Sequence, residues 1–148
     1  MPALLKNILN KLKTEKSVVE LQGLSGSSKA LVLSILSQIQ EQPAEKNIPL
    51  VVVCESFDVA EVLLNDLYYF LGKEGVHFFP FWDVLPYDNF SPHKALVAQR
   101  FQTLDALLSE EIRVLITTPN GLMQRFLPRV TFQKNTISLC QESACSPE

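Results

Sequence analysis

Ser17-Val18-Val19-Glu20-Leu21-Gln22-Gly23-Leu24-Ser25-Gly26-Ser27-Ser28-Lys29-Ala30 is the stretch on which the fold turns. The run Ser17 to Leu21 is strand-like, Gly23 to Ser28 is a Gly/Ser cluster that predicts a tight loop, and from Lys29 to about Gln40 the pattern is helical. Strand, glycine-rich loop and helix in that order form the setting of a GxxxxGK[ST] phosphate loop. In that motif backbone N–H groups and a lysine cradle an anion at the start of the helix.

Two positions depart from the motif. Ser28 stands where the second glycine belongs, and its Cβ restricts the backbone and crowds the approach of a phosphate. Ala30 stands where Ser or Thr belongs and brings no hydroxyl for magnesium. Lys29 remains as a point charge. The vestigial phosphate loop thus comprises Gly23, Gly26, Ser27, Ser28, Lys29 and Ala30, and it is expected to hold no cofactor and no metal. Phosphoryl transfer also needs a metal-holding carboxylate from a later strand, and no predicted strand ends in Asp-Glu. Glu55 follows a strand but precedes Ser56, a good N-cap, so it reads as a helix-start acid. The two histidines, His77 and His93, sit on a strand start and in a loop without a nucleophile to serve, and no catalytic residue is assigned.

Outward from the loop, strand and helix patterns alternate. Leu50 to Cys54, opened by Pro49, is a β-branched run suited to a strand buried on both faces. Val59, Val62, Leu63, Leu67, Phe70 and Leu71 trace the apolar face of a helix that Gly72 is placed to end. Val76 to Phe79 predicts a third strand, and Pro80 to Pro92 a proline-punctuated loop. Leu96, Val97, Phe101, Leu104, Leu107 and Leu108 mark a further helix, and Ile112 to Thr117 a fourth strand. Upstream, Leu4, Leu5, Ile8, Leu9 and Leu12 recur at helical spacing. The alternation implies a parallel sheet with crossover helices in an α/β layered domain, whose sites lie at the carboxyl ends of the strands.

Composition agrees. The 148 residues suit one domain, and 47% hydrophobic with 20% charged residues suits a packed core rather than disorder. A net charge of -3 lacks the footprint of an autonomous nucleic-acid binder; Arg125, Arg129 and Lys134 are the nearest thing to a basic cluster. Three cysteines (Cys54, Cys140, Cys145) form no CxxC pair and no zinc spacing. The first fourteen residues read as neither signal peptide nor membrane span, so a cytoplasmic, monomeric protein is expected. The polar tail Gln141 to Glu148 reads as cut rather than finished.

Three ordered blocks carry a resemblance. They are Leu21 to Ala30, then Phe79-Pro80-Phe81-Trp82-Asp83-Val84-Leu85-Pro86-Tyr87-Asp88-Asn89-Phe90-Ser91-Pro92-His93, then Thr118-Pro119-Asn120-Gly121-Leu122-Met123-Gln124-Arg125 with Pro128-Arg129 behind it. Together they resemble the N-terminus of the bacterial transcription-repair coupling factors (Mfd), over about residues 17 to 139. The resemblance implies a RecA-like lobe, P-loop NTPase in type, similar to the first lobe of the excision-repair helicase UvrB and known in that family for a decayed phosphate loop. It implies residues 1–128 as that lobe and 129–148 as the beginning of an inserted UvrA-binding-type domain. The implied role is a non-catalytic scaffold for UvrA recruitment and interdomain regulation in transcription-coupled repair. UvrA is then met mainly through the following domain, and RNA polymerase and duplex DNA through other parts of the full-length protein, a translocating ATPase. The alternative is a nucleotide-responsive lobe that binds ATP or ADP weakly without cleaving it.

Two blocks invite a nucleic-acid reading. The aromatics of Phe78 to His93 suggest base stacking, but Asp83 and Asp88 repel phosphate and no lysine or arginine interrupts them before Lys94. A packed loop burying Phe81 and Trp82 is the expectation. Thr118-Pro119-Asn120-Gly121 echoes a helicase element whose helix start meets the backbone of nucleic acid, and it reads here as a capped helix start with Pro119 at N1.

Overall fold

The computed structural model describes Ile8 and residues 18–40, 48–84 and 89–137. Three short strands, β1 (Leu50–Val53), β2 (Val76–Phe79) and β3 (Val114–Thr117), form a parallel sheet in the order β1-β3-β2. Around it stand α1 (Ser28–Gln40), α2 (Phe57–Leu71) and α3 (Lys94–Leu108), with the short helices α4 (Pro119–Met123) and α5 (Arg129–Lys134) after β3. Parallel neighbours need crossovers, and α2 and α3 supply them. The result is the expected RecA-like layered α/β domain.

Register divides the sheet into two unlike faces. Leu50, Val114 and Val76 stand level, as do Val52, Ile116 and Phe78. This face is the core: it packs with Ala60, Leu63 and Leu67 of α2 and with Ala30 of α1. Phe57 adds an edge-on ring contact to Phe78, with centroids 5.6 Å apart. On the other face Val53, Thr117 and Phe79 stand level. Arg100 of α3 lies over the Phe79 ring, whereas Val51 and Val53 at the β1 edge remain 49% and 50% exposed.

Local chemistry sets the helix ends. The Ser56 hydroxyl accepts from the Val59 N–H at 3.3 Å and caps α2, as expected of that serine. Gly72, at φ 80°, closes the same helix by donating its N–H to Tyr68 O at 3.0 Å. His93 is the N-cap of α3, its Nδ1 accepting from the Ala95 N–H at 3.3 Å, a role that its place in a predicted loop did not reveal.

Several sequence expectations need correction. Val18 to Ser25 is coil, not the first strand: Val18 is 97% exposed, and no described strand pairs with the segment. A lone extended run without ladder partners leaves its N–H and C=O groups to water, so β-branched composition alone does not make a strand. The fourth strand begins at Val114 rather than Ile112. Helix α2 is rotated from the expected face, with Ala60 at 0% exposure turned to the core and Val62 64% exposed, because the small Ala60 side chain lets the helix approach the sheet.

Helix α3 is the larger surprise. It buries Arg100, Thr103 and Ala106 while Phe101 and Leu107 stay 42% and 36% exposed. The reason lies in carbonyl groups at the end of β2 and just beyond it. Phe78 O accepts from Thr103 Oγ1 at 3.2 Å and from Gln99 Nε2 at 3.5 Å, and Pro80 O accepts from Arg100 Nη1 at 2.5 Å. Buried carbonyls require donors, so the polar side of α3 turns inward. Of the predicted N-terminal helix, only Ile8 lies within the described residues; it is helical and packs against Val32 and Leu36.

Candidate functional site

The loop from Gly23 to Ala30 folds as its glycines suggest. Gly26 has φ 53°, a left-handed conformation that suits glycine, just before α1 begins at Ser28. Ser28 then closes the turn on itself. Its backbone N–H and its hydroxyl both donate to Ser25 O, at 3.2 Å and 2.6 Å. A glycine would leave that hydroxyl's space open.

Ala30 and Lys29 diverge sharply. Ala30 is 0% exposed and belongs to the core cluster with Cys54, Ala60 and Leu63, so the motif's hydroxyl position is occupied by a core methyl. Lys29 is exposed and, with Gly26 and Ser27, lines a cavity of about 780 Å³ beside the end of β1. The same lining includes Glu55, Asp58 and Asp66. Three carboxylates against one ammonium oppose the entry of a polyanion. Within this cavity burial pushes the Cys54 thiol pKa up, while Lys29 pulls it down and Glu55 adds to the rise.

The second and third sequence blocks meet beside α3. Thr117 Oγ1 donates to Phe79 O at 2.9 Å. Gln124 binds the backbone of Trp82 from both ends of its amide: the Trp82 N–H donates to Oε1 at 2.6 Å and Nε2 donates to Trp82 O at 3.5 Å. Arg100 is the hub, 2% exposed, its guanidinium carbon 4.2 Å from the Phe79 ring centroid and 4.5 Å from that of Trp82. Its Nη1 also donates to Gln124 Oε1 at 3.3 Å. Burial lowers its pKa from the ordinary guanidinium value, yet a guanidinium stays charged at physiological pH. Of the expected packed loop, residues 85–88 lie outside the described residues; Phe81 and Trp82 are half-buried rather than buried, Phe90 is 80% exposed, and Asp83 accepts from the His93 N–H at 3.3 Å. The sequence reasoning passed over Arg100 because it reads as the polar side of an amphipathic helix.

Thr118 caps α4, accepting from the Gly121 N–H at 3.4 Å with Pro119 in the first turn, as expected. Gly121 is buried against Thr117 and Phe79. The sequence's basic trio does not converge on a described cavity: Arg125 lines one beside Trp82, while Arg129 and Lys134 lie on α5. His77 is half-buried on β2 and His93 caps α3, so the structure does not bring the histidines together with a nucleophile. Among the described residues no group of three or more His, Cys, Asp or Glu is placed to hold a metal ion, and no helix is long and apolar enough to cross a membrane.

No family model matches the chain. Curated relatives do. Over 102 residues the chain is 31% identical to a transcription-repair-coupling factor of Haemophilus influenzae, a match that covers 69% of the chain and 9% of that protein. A protein of the same name from Myxococcus xanthus is 32% identical over 117 residues, 74% of the chain and 9% of its own length. One from Escherichia coli is 47% identical over 47 residues, covering 32% of the chain and 4% of that protein. The chain thus spans less than a tenth of the length of the relatives it matches.

Proposed function

Because the chain belongs to the transcription-repair-coupling factor family, we propose that it is a non-catalytic lobe of such a protein, a scaffold that carries the UvrA-recruiting region and packs against the rest of the molecule. One observation carries this reading. Ala30, at the metal-hydroxyl position of the loop, is wholly buried among core side chains. A triphosphate with its divalent ion needs a hydroxyl there and room for phosphate beside a second glycine. The chain offers a methyl and the self-bonded Ser28 instead. The carboxylates Glu55, Asp58 and Asp66 in the lining of the cavity support the same conclusion.

On this reading UvrA, RNA polymerase and duplex DNA are partners of the full-length protein. UvrA is engaged mainly through a domain that begins within residues 129–148, and ATP-driven translocation resides in other domains. The test is a pull-down of UvrA by this chain beside a version extended through the following domain. Retention by the extended version alone is expected, and equal retention by both refutes the assignment to that domain.

The second reading, weak nucleotide binding without cleavage, draws on the left-handed Gly26 and on a cavity lined by Gly26, Ser27 and Lys29 that is large enough for a nucleotide. Thermal unfolding with MgATP and MgADP separates the two. A ligand at 100 times its dissociation constant adds about 2.7 kcal/mol, so an unmoved Tm leaves the scaffold and a raised one establishes the responsive lobe.

A further inference from the structure

The buried guanidinium of Arg100 is unfinished. Its Nη1 has two acceptors, but Nη2 is buried and has no hydrogen-bond partner, and among the described residues no carboxylate faces it. A buried donor of a charged group rarely goes without an acceptor, and each such case requires an explanation. Arg100 also lines a cavity of about 320 Å³, walled by Trp82, Phe101, Leu104 and Phe126, with the exposed Arg125 beside it. Phe126 is 60% exposed and Leu127 44%, so the apolar wall continues outward onto the surface. The turning of α3 that buries Arg100 is also what leaves Phe101 exposed for this wall.

We propose that this cavity is a binding site for a peptide segment of a protein partner, in which an apolar side chain enters between Trp82 and Phe126 and an adjacent Asp or Glu carboxylate reaches Arg100 and Arg125. The chemistry selects this ligand over others. An apolar wall favours an aromatic or branched side chain, which a nucleic-acid backbone does not offer. Two guanidinium groups, one of them with an unused donor, favour a carboxylate, which arginine recognises in a planar, paired geometry. Trp82 lies over the guanidinium on a half-buried loop, so a carboxylate that reaches Nη2 shifts this indole. The site shares no residue with the vestigial phosphate loop, so its failure leaves the scaffold reading untouched.

Trp82 is the one tryptophan of the chain and reports on the site directly. Titrating the protein with acetyl-Phe-Asp-amide should change Trp82 fluorescence saturably. The asparagine isostere, acetyl-Phe-Asn-amide, should need a concentration about tenfold higher, the factor that corresponds to ~1.4 kcal/mol for one charge-assisted hydrogen bond. Arg100→Gln should erase the preference for the acid. Because Arg100 also holds the Pro80 carbonyl, Arg125→Gln and Phe126→Ala, both at exposed positions, provide tests that do not rest on folding. The first should narrow the acid preference and the second should weaken both peptides alike. Equal affinity for the two peptides, a saturable response to inorganic phosphate or to an oligo(dT) strand in place of the peptide, or no saturable response at millimolar peptide would each overturn the proposal.

Discussion

Replacing Ala30 by Thr restores the hydroxyl that a working phosphate loop requires, and the structure says that the chain should resist it. Ala30 has no exposed surface and shares its cluster with Cys54, Ala60 and Leu63. Threonine adds two heavy atoms there. Overpacking of a filled core costs about 1–3 kcal/mol, and a buried hydroxyl without a partner about 1–3 kcal/mol more. The second cost falls if the hydroxyl donates to the carbonyl four residues back, at Gly26. A loss of about 2–4 kcal/mol is therefore expected, equivalent to a fall in Tm of roughly 8–16 °C at about 4 °C per kcal/mol for a domain of this size. Ala30→Ser, which adds one atom, should lie between. Far-UV circular dichroism through thermal unfolding, with and without MgATP, measures both stability and ligand response. An Ala30→Thr protein as stable as the parent, and stabilised further by MgATP, would falsify the reasoning, because it would place position 30 at an open phosphate site rather than in the core.

Three further outcomes are expected. A Cβ at Gly121 would stand 2.6 Å from Thr117 Oγ1 and 3.2 Å from Phe79 O, so Gly121→Ala should lower stability by about 1–3 kcal/mol in urea unfolding, with the loss removed in part by Thr117→Ala. Ser56→Ala should cost about 1 kcal/mol through loss of the α2 cap, and an unchanged urea midpoint would show that the cap contributes nothing. Burial lowers the His77 pKa below 6.5, with Glu111 acting the other way. A depressed folded pKa means that the unfolded chain takes up the proton first. The contribution is present above pH 6.5 and is lost as pH falls from there through the folded value. Tm measured across this window should fall for the parent and less for His77→Gln, and parallel curves would refute the assignment.

Sequence reasoning reached the α/β class and the six main elements, β1 to β3 and α1 to α3, because each is written in local pattern. Hydrophobic runs bounded by breakers mark strands and crossovers, and Ser56, Gly72 and Thr118 act on backbone groups only a few residues away. What failed was long-range. Val18 and Val19 have strand composition, but a strand exists only where another lies beside it, and none of those described does. Helix α3 looks amphipathic with a leucine-rich inner face, yet its inner face is Arg100, Thr103 and Ala106. No periodicity rule finds that orientation, since its cause is the carbonyl groups of Phe78 and Pro80, twenty or more residues away in sequence.

The amino-acid order by itself determined the identities at positions 28 and 30, and with them the chemistry that the first loop is able to offer. Tertiary packing alone decided that Ala30 would face inward, that Lys29 would share one cavity with three carboxylates, and that a charged Arg100 would end between two aromatic rings with one donor unused. The physical reason is the same in each case. Side-chain identity fixes what a group can bond, whereas burial and neighbours, assembled from distant segments, fix whether it finds water, a partner or neither.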